Sequence, residues 1–254
     1  MAYTEDGFRL SVIIPALNEA GRLETVLAAV LRERPFEVIV VDGGSRDETL
    51  AIATQAGAAV ICAPPGRAGQ MNAGARQASG DALLFLHADT VPPTGFVSEI
   101  ETMLERPNVV AGAFRLGISS HRPVFRWIER AVMWRSRRWQ RPYGDQGLFM
   151  RRSVFEKMGG YAPIPIMEDV ELVRRLRRAG RIGIVDRAVS TSARRWEATG
   201  PIRATVVNMI SAGAYRLGVP AVHIYRFRQR AMGMRGGREK SASSESATET
   251  FPST

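Results

Sequence analysis

Apolar residues in the first ninety positions come in short runs separated by stretches of helical spacing. Leu10-Ser11-Val12-Ile13-Ile14 is a β-branched run ending at Pro15, which predicts a buried strand. Over residues 20–32, Leu23, Val26, Leu27, Val30 and Leu31 fall on one helical face. Residues 36–41 predict a second strand, closed by Asp42-Gly43-Gly44-Ser45, and residues 47–55 a second helix with Gly57 just beyond its end. Residues 58–62 predict a third strand, 68–78 a third helix and 82–86 a fourth strand. This alternation predicts parallel strands joined by right-handed crossovers, an α/β doubly wound sheet flanked by helices. Ligands of such sheets bind beyond the carboxyl ends of the strands. The loops expected there, 15–19, 42–47, 64–69 and 87–90, are where the polar residues crowd.

The second half is less regular. It predicts strands at 109–116 and 147–150, and helices at 123–139, 168–179 and 199–217. From residue 232 onward little is available to bury, which predicts a disordered tail over 232–254. No internal repeat is visible.

Composition narrows the class. A chain of 254 residues with 45% hydrophobic content is able to bury a sizeable core in one domain. Cys62 is the only cysteine, so no disulfide forms within the chain, and its apolar neighbours predict a buried small hydrophobe. No signal peptide is recognisable, and no run approaches the roughly 20 apolar residues of a membrane span, so a soluble, cytoplasmic protein is expected. The net charge is +10, and of the 35 basic residues only Lys157 and Lys240 are lysine. Arginine suits bidentate contacts to phosphate and carboxylate, but charge alone leaves nucleic acid, an anionic membrane and an anionic substrate all open. Residues 124–139 interleave Phe125, Trp127, Trp134 and Trp139 with five arginines. Three readings stand: stacking on nucleic acid, contact with an anionic membrane, or a core-facing helix with a solvated basic face, the commonest case.

Chemistry concentrates at the predicted strand ends. Asp42 follows the second strand, where a carboxylate accepts from a base N–H or a ribose hydroxyl; the other reading is a turn, with Asp47 capping the next helix. His87-Ala88-Asp89 follows the fourth strand, and a carboxylate there suits a divalent cation shared with a diphosphate, or simply an exposed turn. Pro64-Pro65-Gly66-Arg67-Ala68-Gly69 leads into a helix N-terminus, which favours anions. It is neither a Walker A loop nor a G-x-G-x-x-G turn.

Four blocks together resemble family-2 glycosyltransferases: Ser-Val-Ile-Ile-Pro-Ala-Leu-Asn-Glu at 11–19, Val-Ile-Val-Val-Asp-Gly-Gly-Ser-Arg-Asp-Glu-Thr at 38–49, Gly-Arg-Ala-Gly-Gln-Met-Asn-Ala-Gly at 66–74 and Leu-Phe-Leu-His-Ala-Asp-Thr at 84–90. The likeness spans roughly residues 9–230 and extends to a small bacterial subgroup of arsenosugar-type, radical-SAM-associated glycosyltransferases. It implies one GT-A domain over 1–231, with a nucleotide-sugar half at about 9–116 and an acceptor half at about 117–231. It also implies a nucleoside-diphosphate sugar donor, UDP-linked, a divalent Mg²⁺ or Mn²⁺ cofactor, and inversion at the anomeric carbon. Pro15 and Glu19 match the first donor loop, Asp42 the base-binding carboxylate, and Arg67 a basic position beside base and phosphates. Asp89 matches the last acid of the Asp-x-Asp metal motif, whose first acid is here replaced by His87. His87 is then either a ribose or pyrophosphate contact or a histidine held by backbone.

On the acceptor side, Met167-Glu168-Asp169-Val170-Glu171-Leu172 resembles the family's Glu-Asp motif. That match makes Asp169 the general base, with Glu168 beside it; the alternative is a pair of acids that favour a helix N-terminus. Asp145 and Gln146 lie in a block resembling the acceptor pocket. Arg195 and Trp196 loosely resemble a diphosphate- and acceptor-contacting motif of processive members. The expected partners are a nucleotide sugar and a hydroxyl acceptor, with peripheral membrane contact and a lipid-linked acceptor as the second choice. Nucleic acid is not expected, although a basic nucleic-acid-binding protein is the alternative from another class.

Overall fold

The structure is a computed structural model that describes residues 7–233, without the side chain of Arg195. The first half alternates as its pattern predicts: β1 (Leu10–Ala16), α1 (Ala20–Arg32), β2 (Glu37–Asp42), α2 (Thr49–Gln55), β3 (Ala59–Cys62), α3 (Arg67–Gln77) and β4 (Ala82–Phe85). A short β5 (Thr90–Val91), α4 (Phe96–Glu105), β6 (Val109–Ser119) and α5 (Pro123–Trp139) follow. A 3-10 turn at Gly144–Gln146 leads into β7 (Leu148–Arg151), α6 (Arg152–Lys157) and α7 (Glu168–Ala179). The described residues close with β8 (Arg181–Ser192), α8 (Arg194–Thr199), α9 (Pro201–Arg216) and α10 (Ala221–Ala231).

Among the described residues, eight strands join one sheet in the order β3-β2-β1-β4-β7-β6-β8-β5. The strands β3, β2, β1 and β4 run parallel, as expected. The sheet is nonetheless mixed: β7 enters antiparallel between β4 and β6, and β5 pairs antiparallel with β8. The long β8 lies parallel to β6. Alternate side chains of β1 explain its continuous apolar run. Leu10, Val12 and Ile14 pack with Leu23, Val26 and Leu27 of α1 on one face, while Ile13 packs with Met71 and Ala75 of α3 on the other. A parallel strand covered by helices on both faces has no polar side to display. Gly74 permits the close approach of α3, because a Cβ there would lie 2.5 Å from Ile13 Cγ2 and 3.0 Å from Val41 Cγ2.

Three expectations are corrected. Cys62 is exposed rather than buried, because β3 forms the outer edge of the sheet. Helix α2 starts at Thr49, since Asp47 lies in the turn before it: Oδ1 accepts the Thr49 N–H at 3.1 Å and Oδ2 the Ala20 N–H at 3.2 Å. Strand β1 continues through Pro15 to Ala16, and Pro15 pairs in register with Val41. The tail expected to be disordered falls almost wholly at 234–254, outside the described residues. Among the described residues no helix is long and apolar enough to cross a membrane.

Candidate active site

The carboxyl ends of β1, β2 and β4 lie side by side, and the loops leaving them carry Glu19, Asp42, His87 and Asp89. Asp42 is buried at the end of β2, where its Oδ2 accepts the N–H groups of Gly44 (2.8 Å) and Ser45 (2.9 Å). These bonds shape the Asp-Gly-Gly-Ser loop and leave the carboxylate further acceptor capacity. Gln70 of α3 fastens this loop to its neighbour by donating to the carbonyls of Ala16 (2.9 Å) and Val41 (2.8 Å). Glu19 precedes α1 and pairs with Arg194 at 3.2 Å, tying the first loop to the end of β8.

Asp169 sits in the first turn of α7 and is held from two sides. Its Oδ2 accepts the Gly144 N–H at 2.8 Å, and its Oδ1 the Val170 N–H at 2.7 Å. A Cβ placed on Gly144 would lie 3.2 Å from His87 Nε2 and 3.4 Å from Asp169 Oδ2. His87 at the end of β4 and Asp169 at the start of α7 therefore meet across a single glycine. The residue before this turn, Met167, adopts φ 69° and is buried against Val170, Ala212 and Ile224. A left-handed conformation at a non-glycine costs of order 1 kcal/mol and persists because packing imposes it.

Charge binds the rest of the cluster. Arg67, the first residue of α3, lies 3.3 Å from Glu168, whose side chain is almost wholly buried. Burial alone lowers the pKa of Arg67, but the carboxylates of Glu168, Asp169 and Asp89 outweigh it and hold the guanidinium charged. Burial, and then the neighbouring Asp169 charge, raise the pKa of Glu168 against the pull of Arg67. Asp145 is perturbed as well. Burial pushes its carboxyl up from 3.8 to about 6, with Arg135 opposing and Asp169 adding to the rise. Among the described residues, its Oδ1 is a buried atom without a hydrogen-bond partner. An unsatisfied buried carboxylate oxygen with a raised pKa in a cluster of charges is a candidate functional group.

The expected residues therefore divide. Arg67, His87, Asp89, Asp145, Glu168 and Asp169 share one charged neighbourhood where β4, α3, α7 and the 144–146 turn converge. Asp89 is buried, and its carbonyl accepts the Ser192 N–H at 3.1 Å. Asp42 and Glu19 sit on adjacent strand ends with their carboxylates engaged by protein. Pro15 lies within β1. Gln146, expected at the acceptor, is fully enclosed: it accepts from Ser136 Oγ (2.9 Å) and donates to the Phe114 carbonyl (2.8 Å), so it holds the turn. Trp196 packs edge-on against Phe125 in a small cluster with Leu116 and Ile118, which places it with α5. The Arg195 side chain lies outside the described residues.

Residues 11–162 match the model of the family described as glycosyl transferase family 2. The chain belongs to that family. A probable glycosyltransferase of Bacillus subtilis, YdaM, is 27% identical over 201 residues, covering 68% of this chain and 47% of YdaM. A PGL/p-HBAD biosynthesis glycosyltransferase of Mycobacterium bovis is 31% identical over 169 residues, covering 59% of this chain and 62% of that protein. The chain thus spans about half to three-fifths of the length of these relatives. Among solved structures, glucosyl-3-phosphoglycerate synthase of Mycobacterium tuberculosis, in complex with Mn²⁺, UDP-glucose and phosphoglyceric acid, superposes with a TM-score of 0.63 at 23% identity. That match covers 84% of this chain and 81% of the synthase. TarS of S. aureus, in complex with UDP-GlcNAc, superposes with a TM-score of 0.58 at 17% identity, covering 73% of this chain and 58% of TarS. These likenesses establish the GT-A fold.

Among the described residues, no three His, Cys, Asp or Glu side chains come together as a metal cage. A divalent ion of the Mg²⁺ type typically takes one or two carboxylates and completes its shell with phosphate oxygens and water. A buried Asp89 supplies the single carboxylate that such a site needs. Sequence reasoning gives roles to Asp145 and Gln146 but none to Gly144, which opens the same block. A glycine at the start of the Gly-Asp-Gln triplet is the visible signal, but only the fold reveals what a side chain there would strike.

Proposed function

We propose that this chain moves a sugar from a nucleoside-diphosphate sugar, UDP-linked, to an acceptor hydroxyl with inversion at the anomeric carbon. Membership of the family supports glycosyl transfer, and the single observation that carries the site assignment is the Asp169 carboxylate fixed by the Gly144 N–H beside His87. Asp169 takes the proton from the acceptor hydroxyl as that oxygen attacks the anomeric carbon and the nucleoside diphosphate leaves. The two N–H bonds hold the carboxylate in one orientation, so little reorganisation is needed at the moment of transfer. Arg67 supplies positive charge for the diphosphate at the first turn of α3, and Glu168 holds Arg67 in place. Asp89, with His87 beside it, would hold the divalent ion, which when bound neutralises charge on the leaving diphosphate. Glu19 and Asp42 shape the donor loops, and Asp145 faces the acceptor. The narrower likeness to the arsenosugar-type subgroup, and a cytoplasmic setting, belong to the same proposal.

The test is turnover of a panel of UDP-sugars with Mn²⁺ or Mg²⁺, combined with calorimetric binding of UDP. Replacing the base, Asp169→Asn, is expected to lower turnover by about 10²- to 10⁴-fold while leaving UDP affinity unchanged. Undiminished turnover in that variant would remove Asp169 from the role of base. A wild-type chain without metal-dependent affinity for any nucleotide sugar refutes the transferase reading itself.

One observation favours a second reading, in which the enzyme works at a membrane surface. Helices α5, α9 and α10 pack together, and they expose Trp127, Trp134, Met209, Leu217 and Phe227, among others. Arginines flank these side chains on α5 and α10. Apolar and basic residues on one side of a protein suit an anionic bilayer. Cosedimentation with anionic but not neutral vesicles supports this reading, and no cosedimentation with either dismisses it.

A further inference from the structure

Near the candidate base lies a cavity to which the proton transfer at Asp169 gives no role of its own. It measures about 470 Å³ and is lined by Arg141, Tyr143, Arg174, Arg177, Tyr215 and Arg216, together with apolar residues of α7 and the α9–α10 connection. Arg174 has a partner, since it lies 3.3 Å from Glu171. Among the described residues, Arg141, Arg177 and Arg216 form no ion pair. The wall is also built rather than loose. Arg216 donates to the Tyr143 hydroxyl, Arg135 stacks over the Tyr143 ring at 3.8 Å, and Arg135 Nε donates to the Arg141 carbonyl at 3.1 Å. Burial, and then the charges of Arg216 and Arg177, push the Arg141 guanidinium below its ordinary value, as expected where cations converge without an acid.

We infer that this cavity binds a phosphate or carboxylate group, and that the group is carried by the acceptor. Three arginines around one concavity present the forked donors that match a tetrahedral or planar anion. An anion there would relieve their mutual repulsion. The location ties the cavity to the reaction. Tyr143 and Val170, which line it, are the immediate chain neighbours of Gly144 and Asp169, whose hydrogen bond marks the candidate base. An acceptor whose anionic end enters the cavity brings a hydroxyl within reach of Asp169. That the anion belongs to the acceptor rests on the proposed transferase function; that the cavity binds an anion does not.

The probes are glycerol 3-phosphate with glycerol as control, and vesicles of phosphatidylglycerol with phosphatidylcholine as control, all at constant ionic strength. The full chain is compared with the double variant Arg177→Gln/Arg216→Gln and with Arg203→Gln. All three substituted arginines are exposed, so the fold is retained. Calorimetry is expected to show glycerol 3-phosphate binding that is at least about tenfold weaker in the double variant and unchanged in Arg203→Gln. UDP affinity stays the same in all three chains. Binding of glycerol 3-phosphate identifies a soluble phosphate-bearing ligand. Binding seen only with phosphatidylglycerol vesicles, and lost in the double variant, identifies a lipid phosphate. No binding to either probe, or equal binding by all three chains, overturns the inference. A wild-type chain that binds glycerol 3-phosphate but no nucleotide sugar retains the anion site and loses the transferase reading.

Discussion

Asp145 turns the electrostatics of the site into a measurable dependence of stability on pH. Burial raises its carboxyl from 3.8 to about 6, Arg135 pulls it back, and its Oδ1 is buried without a partner. In the native state the group therefore keeps its proton over a range where the unfolded chain has lost it. The native chain binds more protons in that range, so stability declines as pH rises. The contribution is fully present below the unfolded value of 3.8 and is lost as pH passes through about 6. Converted at about 1.36 kcal/mol for each tenfold change in proton affinity, the cost at neutral pH is about 3 kcal/mol. Asp145→Asn keeps the shape and removes the charge, so it is expected to stabilise the fold by up to about 3 kcal/mol at pH 8 and by little at pH 4. Urea unfolding of both chains between about pH 4 and pH 8 measures the difference directly. A difference that stays flat across the range, or a variant less stable than wild type at pH 8, refutes the reasoning.

Three further outcomes follow from particular contacts. Gly144→Ala puts a methyl group 3.2 Å from His87 Nε2 and 3.4 Å from Asp169 Oδ2, so kcat is expected to fall by about tenfold or more with UDP affinity unchanged. Steady-state kinetics with wild-type values would show that the base tolerates displacement. Asp89→Ala is expected to abolish the Mn²⁺-dependent part of UDP binding while leaving the metal-free part intact; calorimetry with and without the ion separates the two. Gly74→Val drives a branched side chain into Ile13 and Val41, and is expected to cost about 1–3 kcal/mol in urea unfolding without changing the substrate profile.

Much of the first half was legible because its elements are local and strongly patterned. Helix α1 spans the positions that its apolar face predicts, and strands β1, β2 and β4 are apolar runs because helices cover both faces of the sheet. The motif residues Asp42, Arg67, Asp89 and Asp169 all fall at element ends, where backbone geometry is dictated by neighbours in the chain. Helix α7 likewise begins at Glu168, as its acid-rich first turn predicts. Strand β8 was invisible, because its arginines and its partly exposed stretch break the alternation expected of a strand. It exists through its long parallel pairing with β6.

What no local pattern contains is which of these ends meet. The Asp42 carboxylate, suited equally to a ligand or a turn, also accepts the N–H groups of its own loop. Gln146 looks like a ligand contact in the chain and is a buried strut in the fold. The approach of His87 to Asp169 across Gly144 joins residues far apart in sequence, as does the gathering of Arg141, Arg177 and Arg216 around one cavity. Residue spacing governs the periodicity of a helix or strand, since those depend on bonds between near neighbours. The placement of a charge against a distant charge depends on sheet order and crossover path, which the packed chain alone decides.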